Sequence, residues 1–131
     1  AATTDMNLIL EHRFVPLVRS GFKICTTRAV RKRPIRVGDE VRLVYWQGRA
    51  YRSPQQWLAT VRISAAPAVE ILQNGDIILA GGKLTDRGRD ILATNDGFDS
   101  PQEYVDYCRA SLRDPAISFR GHVYFWEVYG L

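Results

Sequence analysis

The residues best suited to chemistry lie in one short stretch, residues 21–28, which reads GFKICTTR. Within it, Lys23, Thr26 and Arg28 supply an amine, a hydroxyl and a guanidinium. A threonine hydroxyl becomes a nucleophile when a base accepts its proton, and a lysine kept neutral by burial or by a nearby cation can be that base. A guanidinium can hold a phosphate or a carbonyl oxygen. The trio could therefore supply a nucleophile, a base and an anion-binding group, but from the spacing alone the preferred interpretation is a solvated lysine, a strand threonine and a surface arginine.

These side chains can meet only if the backbone bends between them. In a regular strand, Lys23 and Thr27 share one face and Thr26 lies on the other. A bend near residues 23–25 would bring Lys23 and Thr26 together, because residues three apart are neighbours in a turn. Gly21 suits the end of a preceding helix, where a left-handed residue is common, and so favours such a bend.

The helices and strands that must position residues 21–28 are predicted to form one α+β domain over residues 1–131. This length suits a single domain. Strands without regular intervening helices favour a small β-barrel of about five or six strands with flanking helices over a doubly wound sheet. The sequence NGD at 74–76 predicts a hairpin turn. Ser100 is expected to cap the clearest helix, with Glu103 completing a capping box. The predicted strands are 7–10, 26–30, 40–46, 57–72 (broken at Pro67, with a hairpin over 68–79) and 121–129, and the predicted helices are 11–20, 86–94 and one that starts at Pro101.

Composition indicates a globular protein with anionic partners. The net charge is +4 and the pI is about 9.3, which favours nucleic acid among possible partners. No apolar run is long enough to span a bilayer, and the first five residues lack a secretory signal, so we expect a cytoplasmic protein. No spacing supports a metal site, and no cofactor is expected. The only candidates for a zinc site are Cys25, Cys108, His12 and His122, and unpaired thiols are the preferred interpretation.

The stretch 21–28 resembles the signature of the ASCH family: a glycine, a lysine two positions on, a threonine or acidic residue three further, and an arginine two beyond that. The context is also similar, with a predicted helix before it and a basic loop and strand after it. Later, residues 96–98 (DGF) resemble the acidic-glycine-aromatic segment found late in ASCH domains. The resemblance covers residues 8–46 and 95–128. The four matching signature positions are Gly21, Lys23, Thr26 and Arg28.

This resemblance implies a PUA-like β-barrel with a cleft between the barrel and its helices. The motif is closest to that of small bacterial amidohydrolases that remove the acetyl group from N-acetylcytidine. By position, Lys23 and Thr26 would be catalytic, and Asp96 would replace the family's later glutamate with a side chain one methylene shorter. Asp99 and Glu103 are alternative acids. Other members of the family are RNA-binding modules or ribonucleases, so a non-catalytic RNA-binding module of the same fold is the alternative function.

A second feature is the mixture of basic and aromatic residues that follows the motif. Arg28, Arg31 and Arg33 belong to a cationic run, and together with Gly21 they are the predicted substrate-binding residues. Proteins commonly bind single-stranded RNA with cationic side chains that contact the phosphates and aromatic rings that stack on the bases. The alternative is a charged loop beside core aromatics. The interleaved aromatic residues are Tyr45, Trp46, Tyr51 and Trp57.

Overall fold

The structure, a computed structural model, describes residues 6–130 and the side chains of residues 6–127. The five residues tested above for a secretory signal lie outside this range. The described residues form a mixed α+β fold, which confirms the predicted class. One sheet contains all eight strands: β1 (Asn7–Ile9), β2 (Cys25–Ala29), β3 (Glu40–Trp46), β4 (Gln55–Ala65), β5 (Ala68–Ile71), β6 (Ile77–Leu79), β7 (Gly82–Lys83) and β8 (Phe119–Gly130).

Three helices accompany the sheet in the described residues, and two of them start at a residue whose side chain caps the helix. A 3₁₀ turn over His12–Phe14 leads into α1 (Val15–Arg19). Helix α2 (Asp86–Asn95) is capped by Thr85, whose hydroxyl accepts from the Gly88 N–H. Helix α3 (Pro101–Arg109) begins at Ser100, whose hydroxyl accepts from the Glu103 N–H at 3.1 Å. Half of the predicted capping box is thus present, while the Glu103 carboxylate accepts a hydrogen bond from Arg13.

Eight strands exceed the predicted five or six because several are very short. Strand β7 has only two residues, which is too few to give a hydrophobic period. The predicted break at Pro67 is present, and it separates β4 from β5. The predicted hairpin is also present, because β5 pairs antiparallel with β6 across the 74–76 turn.

The last strand, β8, organises the sheet. Strand β2 pairs antiparallel with one edge of β8, over residues 121–125. On the opposite edge, β5 pairs with residues 119–122 and β4 pairs with residues 125–130, one after the other. The strand order is β1-β3-β4-β8-β5-β6-β7, with β2 off this path, and this order does not close on itself. Residues 25–29 are therefore paired with the central strand of the sheet.

The core lies between the sheet and the helices, and it includes both cysteines. Cys25 and Cys108 are buried and unpaired. Among the described residues, no helix is long and apolar enough to cross a bilayer. The same residues contain no cluster of three or more metal-ligating side chains.

Candidate active site

A cavity of about 160 Å³ opens where five segments of the chain converge. Its walls come from residues 10–14, from β2 and the segment before it, from the loop between α2 and α3, from residues 107–111 at the end of α3, and from the start of β8. Lys23, Thr26, Arg28 and Asp96 all line it. The structure therefore brings together the three predicted catalytic residues and one of the four predicted binding residues.

The chain turns at residues 20–21, where α1 ends, and the structure shows no turn or bend at residues 23–25, where one was predicted. Gly21 has a φ of 81°, which ends α1 in a left-handed conformation. The Lys23 N–H then donates to the Leu17 carbonyl at 3.0 Å, and the Ile24 N–H donates to the Asn95 carbonyl at 2.9 Å. Strand β2 starts only at Cys25, so Lys23 is turned inwards before the strand begins.

Lys23 and Asp96 form an ion pair that is almost completely withdrawn from solvent. Lys23 Nζ lies 2.5 Å from Asp96 Oδ1 and 2.5 Å from the Asp96 carbonyl oxygen. The two side chains are 1% and 3% exposed. The Phe14 ring covers the ammonium, with its centroid 4.5 Å from Nζ, at a distance suited to a cation–π contact.

The Asp96 carboxylate is held at both oxygens. While Lys23 binds Oδ1, the Thr27 hydroxyl donates to Oδ2 at 2.8 Å, and the Tyr104 hydroxyl lies 2.7 Å from that of Thr27. Burial raises the pKa of the Asp96 carboxyl, and the Lys23 ammonium, the Thr27 hydroxyl and Arg28 act against this rise. A buried carboxylate with a raised pKa is suited to accept and return a proton.

Gly97 allows the DGF segment, residues 96–98, to place the Asp96 carboxylate in the cavity. Asp96 follows the last residue of α2, and Gly97 turns the chain with a φ of 91°. A Cβ atom at position 97 would lie 3.1 Å from the Phe14 ring, so the packing there also favours glycine. The ring of Phe98 then packs edge-on against Phe14, with centroids 5.4 Å apart.

Arg28 and Thr26 form the other side of the cavity. Arg28 Nη2 donates to the Ile9 carbonyl at 2.6 Å, and Nε lies 3.4 Å from the Thr26 hydroxyl oxygen. Burial lowers the pKa of the Arg28 guanidinium, while the nearby Tyr107 and Asp96 oppose this. The Arg28 guanidinium is therefore fixed by β1 and β2 in the cavity wall, next to the hydroxyl of Thr26.

The remaining predicted residues lie outside the cavity lining. Gly21 serves as the end of α1, and Arg33 is exposed in the loop after β2. Arg31 donates to the Arg33 carbonyl at 3.4 Å and is close enough to lower the pKa of Arg28. Neither alternative acid, Asp99 nor Glu103, lines the cavity.

Sequence reasoning missed several residues that complete the site. Thr27 binds Asp96 although the motif does not contain it, and the signal that could have found it is that Lys23 and Thr27 share a face in a regular strand. Tyr107 lines the cavity, and burial and the neighbouring Glu11 raise its pKa. Tyr104 lies 77 residues from Thr27, so no local pattern links the two.

Comparison with known proteins adds information about the fold only. No family model and no curated protein matches the chain. A crystal structure described as that of hypothetical protein PH0355 is similar, with a TM-score of 0.52 and 16% sequence identity, over 96% of this chain and 98% of that chain. At this identity the likeness concerns the fold, and the ASCH resemblance stays a prediction.

Proposed function

We propose that the chain hydrolyses the amide of N-acetylcytidine, free or within RNA, in the cavity beside Lys23. The observation that carries this proposal is the buried Lys23–Asp96 pair in a cavity that the Thr26 hydroxyl and Arg28 also line. Perturbed, desolvated charges in a concave site are typical of functional sites. We further propose that the sheet is a PUA-like barrel of the ASCH type and that the protein is cytoplasmic, which its two unpaired cysteines support.

The size of the cavity supports a pyrimidine. An engineered cavity of about 150 Å³ binds one benzene ring. The cavity here, about 160 Å³, matches one six-membered ring and is small for a fused purine. The ribose of a nucleoside would then lie at the cavity mouth, where a nucleotide chain can continue.

The proposed reaction begins with attack of the Thr26 hydroxyl oxygen on the acetyl carbon. The Asp96 carboxylate accepts the proton of this hydroxyl. Lys23 is not the acceptor, because its Nζ already acts as a hydrogen-bond donor to Asp96. The bond between the acetyl carbon and the cytosine amine then breaks, and the same proton passes to that amine. Water hydrolyses the acetyl-threonine, which releases acetate and restores the hydroxyl.

Arg28 is suited to stabilise the oxyanion that forms in this reaction. Its guanidinium lines the cavity and is held by Ile9, which leaves N–H groups of Nη1 without a protein partner among the described residues. Fixed donors aimed at a developing charge give a large catalytic advantage in a site that excludes water. Thr27, by holding Oδ2, keeps Asp96 oriented for proton transfer.

A non-catalytic RNA-binding module is the second candidate function. It is favoured by the cationic run after β2, where Arg31 lies near Arg28 and Arg33 is exposed. On this alternative, Arg28 and Arg31 would bind phosphates, and the cavity would only receive a base.

The test is a hydrolysis assay on N-acetylcytidine with the parent protein and with Lys23→Ala, Thr26→Ala and Thr26→Ser. We expect Lys23→Ala and Thr26→Ala to lose roughly 10²-fold or more in rate, and Thr26→Ser to keep turnover. Lys83→Ala is the matched control, because Lys83 lies exposed on β7. An acetylated peptide containing Thr26, found by mass spectrometry, would support the covalent route. No turnover by the folded parent would overturn the proposal.

A further inference from the structure

The loop between β3 and β4, residues 47–54, presents an exposed aromatic ring in an unusual backbone conformation. Tyr51 is 84% exposed, and its φ of 62° is rare for a residue with a bulky side chain. Its ring lies against that of Trp46, with centroids 5.1 Å apart and an interplanar angle of 48°. Such strain is kept only where surrounding structure enforces it, and it concentrates at functional sites.

The enforcing structure is the loop itself, which we call the hairpin tip. The Gln47 N–H donates to the Pro54 carbonyl at 2.9 Å, and the Gly48 N–H donates to the Ser53 hydroxyl at 2.9 Å. That hydroxyl donates to the Arg49 carbonyl at 2.8 Å, which also accepts from the Arg52 N–H at 3.1 Å. The hairpin tip is therefore pre-organised, and a ligand that binds it need not order it first.

The charge around the hairpin tip has one sign. Residues 41–69 include arginines at 42, 49, 52 and 62 and contain no aspartate or glutamate. Arg49 and Arg52 are exposed, and within residues 6–127 neither side chain has an acidic partner. An exposed ring flanked by two unpaired cations is complementary to a base and its neighbouring phosphates.

The hairpin tip is connected to the cavity through the 3₁₀ turn. Glu11 and Phe14 line the cavity. Between them, His12 packs edge-on against the Tyr45 ring, with centroids 5.2 Å apart, and His12 Nε2 donates to the Trp46 carbonyl. The 3₁₀ turn therefore contacts the cavity lining through Glu11 and Phe14 and the end of β3 through His12.

We propose that the hairpin tip binds single-stranded RNA, with a base stacked on Tyr51 and Trp46 and phosphates bound by Arg49 and Arg52. The nucleotide held there neighbours the one whose base enters the cavity. The assignment of a modified base to the cavity rests on the proposed function, whereas the strand-binding surface does not. The inferred substrate is thus a nucleotide within a single strand, rather than the free nucleoside alone.

The test is fluorescence anisotropy with a short fluorescein-labelled single-stranded RNA and with its duplex, over a range of salt concentrations. We expect the single strand to bind more tightly than the duplex. We expect Tyr51→Ala to weaken single-strand binding roughly 5- to 100-fold, and Tyr51→Phe to restore it, because stacking needs the ring and not the hydroxyl. The double variant Arg49→Ala/Arg52→Ala should reduce the slope of log affinity against log salt by about 1.4, the effect of losing two phosphate contacts on a single strand.

The matched control is Arg87→Ala/Arg113→Ala, which removes the same charge from exposed positions on α2 and after α3. If the control weakens binding as much as the hairpin-tip variant, or if Tyr51→Ala has no effect, the inference is wrong. Hydrolysis of free N-acetylcytidine should be unchanged in every hairpin-tip variant. RNA binding that depends on Tyr51, in a protein without hydrolase activity, would support this surface and reject the proposed reaction. Hydrolysis of N-acetylcytidine without RNA binding that depends on Tyr51 would support the reaction and reject this surface.

Discussion

At the scale of single residues, Lys23 and Asp96 raise the question of why the protein buries two charges. Withdrawing each ion from water costs several kcal/mol, and a buried pair is often no more stable than two apolar residues of similar volume. The contacts that offset this cost are those of Thr27 with Oδ2, Phe14 with the ammonium, and the pair itself. Because the pair also lines a cavity, function is a better explanation for it than stability.

The pair can be tested as a unit by a double-mutant cycle with Lys23→Met and Asp96→Leu. Each single variant should lower the free energy of unfolding by roughly 3–5 kcal/mol, because it leaves one buried charge without its partner. The double variant should cost much less than the sum of the two. Urea denaturation at neutral pH measures all four proteins.

The matched control for this cycle is the exposed pair Arg120 and Glu70, in which the arginine side chain is 76% exposed. Its coupling should stay below about 1 kcal/mol, since water screens an exposed ion pair. Additive effects in the Lys23–Asp96 cycle would show that the two charges do not depend on each other.

At the scale of elements, the site depends on how closely β2 crosses β8. Ala29 pairs with Gly121 in this ladder, and a Cβ atom at position 121 would lie only 2.0 Å from the Arg28 carbonyl oxygen. Because the obstacle is backbone, no side-chain rotation can make room. The absence of a side chain at Gly121 therefore allows β2 to reach the register that places Thr26 and Arg28 in the cavity.

We expect Gly121→Ala to lower the free energy of unfolding by about 3 kcal/mol, the upper end of what overpacking usually costs. Gly82→Ala is the control, because its nearest contact would be an ordinary 3.8 Å to the Leu79 carbonyl. Chemical denaturation of both variants measures the difference. An equal, small effect in the two would mean that β2 and β8 can separate without cost.

At the scale of the whole molecule, the two buried cysteine thiols make the stability of the folded protein depend on pH. Cys25 is fully buried in the sheet, and Cys108 is buried on α3. Burial raises the pKa of Cys25 well above its ordinary value. Burial, with a contribution from Asp96, raises the pKa of Cys108 to about 12. Both thiols therefore lose their protons more readily in the unfolded chain than in the folded protein.

A thiol whose pKa is higher in the folded protein than in the unfolded chain stabilises the folded state. This stabilisation is complete below the pKa of the unfolded chain, and it is lost as the pH rises from that value through the pKa of the folded protein. The unfolded thiol pKa is about 8.5, so the free energy of unfolding should fall above about pH 8.5. Each thiol should contribute up to about 1.4 kcal/mol per pH unit, until tyrosines begin to titrate near pH 10. Urea denaturation under reducing conditions measures this slope.

In the Cys108→Ala variant the slope between about pH 8.5 and 10 should be roughly halved, because one of the two thiols is gone. A parent protein whose stability is flat over this range would contradict the burial of both thiols.

The sequence by itself determined the features that depend on local physics. Strand β3 was predicted at its observed bounds, because alternation of apolar and polar residues is a short-range pattern. The cap at Ser100 and the break at Pro67 follow from the chemistry of one or two residues. The turn that ends α1 was predictable for the same reason, since Gly21 marks it in the sequence.

The tertiary structure alone decided which groups meet and how much room they leave. Thr27 contacts Asp96 across 69 residues of chain, and the bond from Lys23 to Asp96 spans 73. Such contacts depend on the order of strands around β8 and on the packing of α2 and α3, which no local period encodes. The volume of the cavity follows in the same way from side chains that the fold packs together.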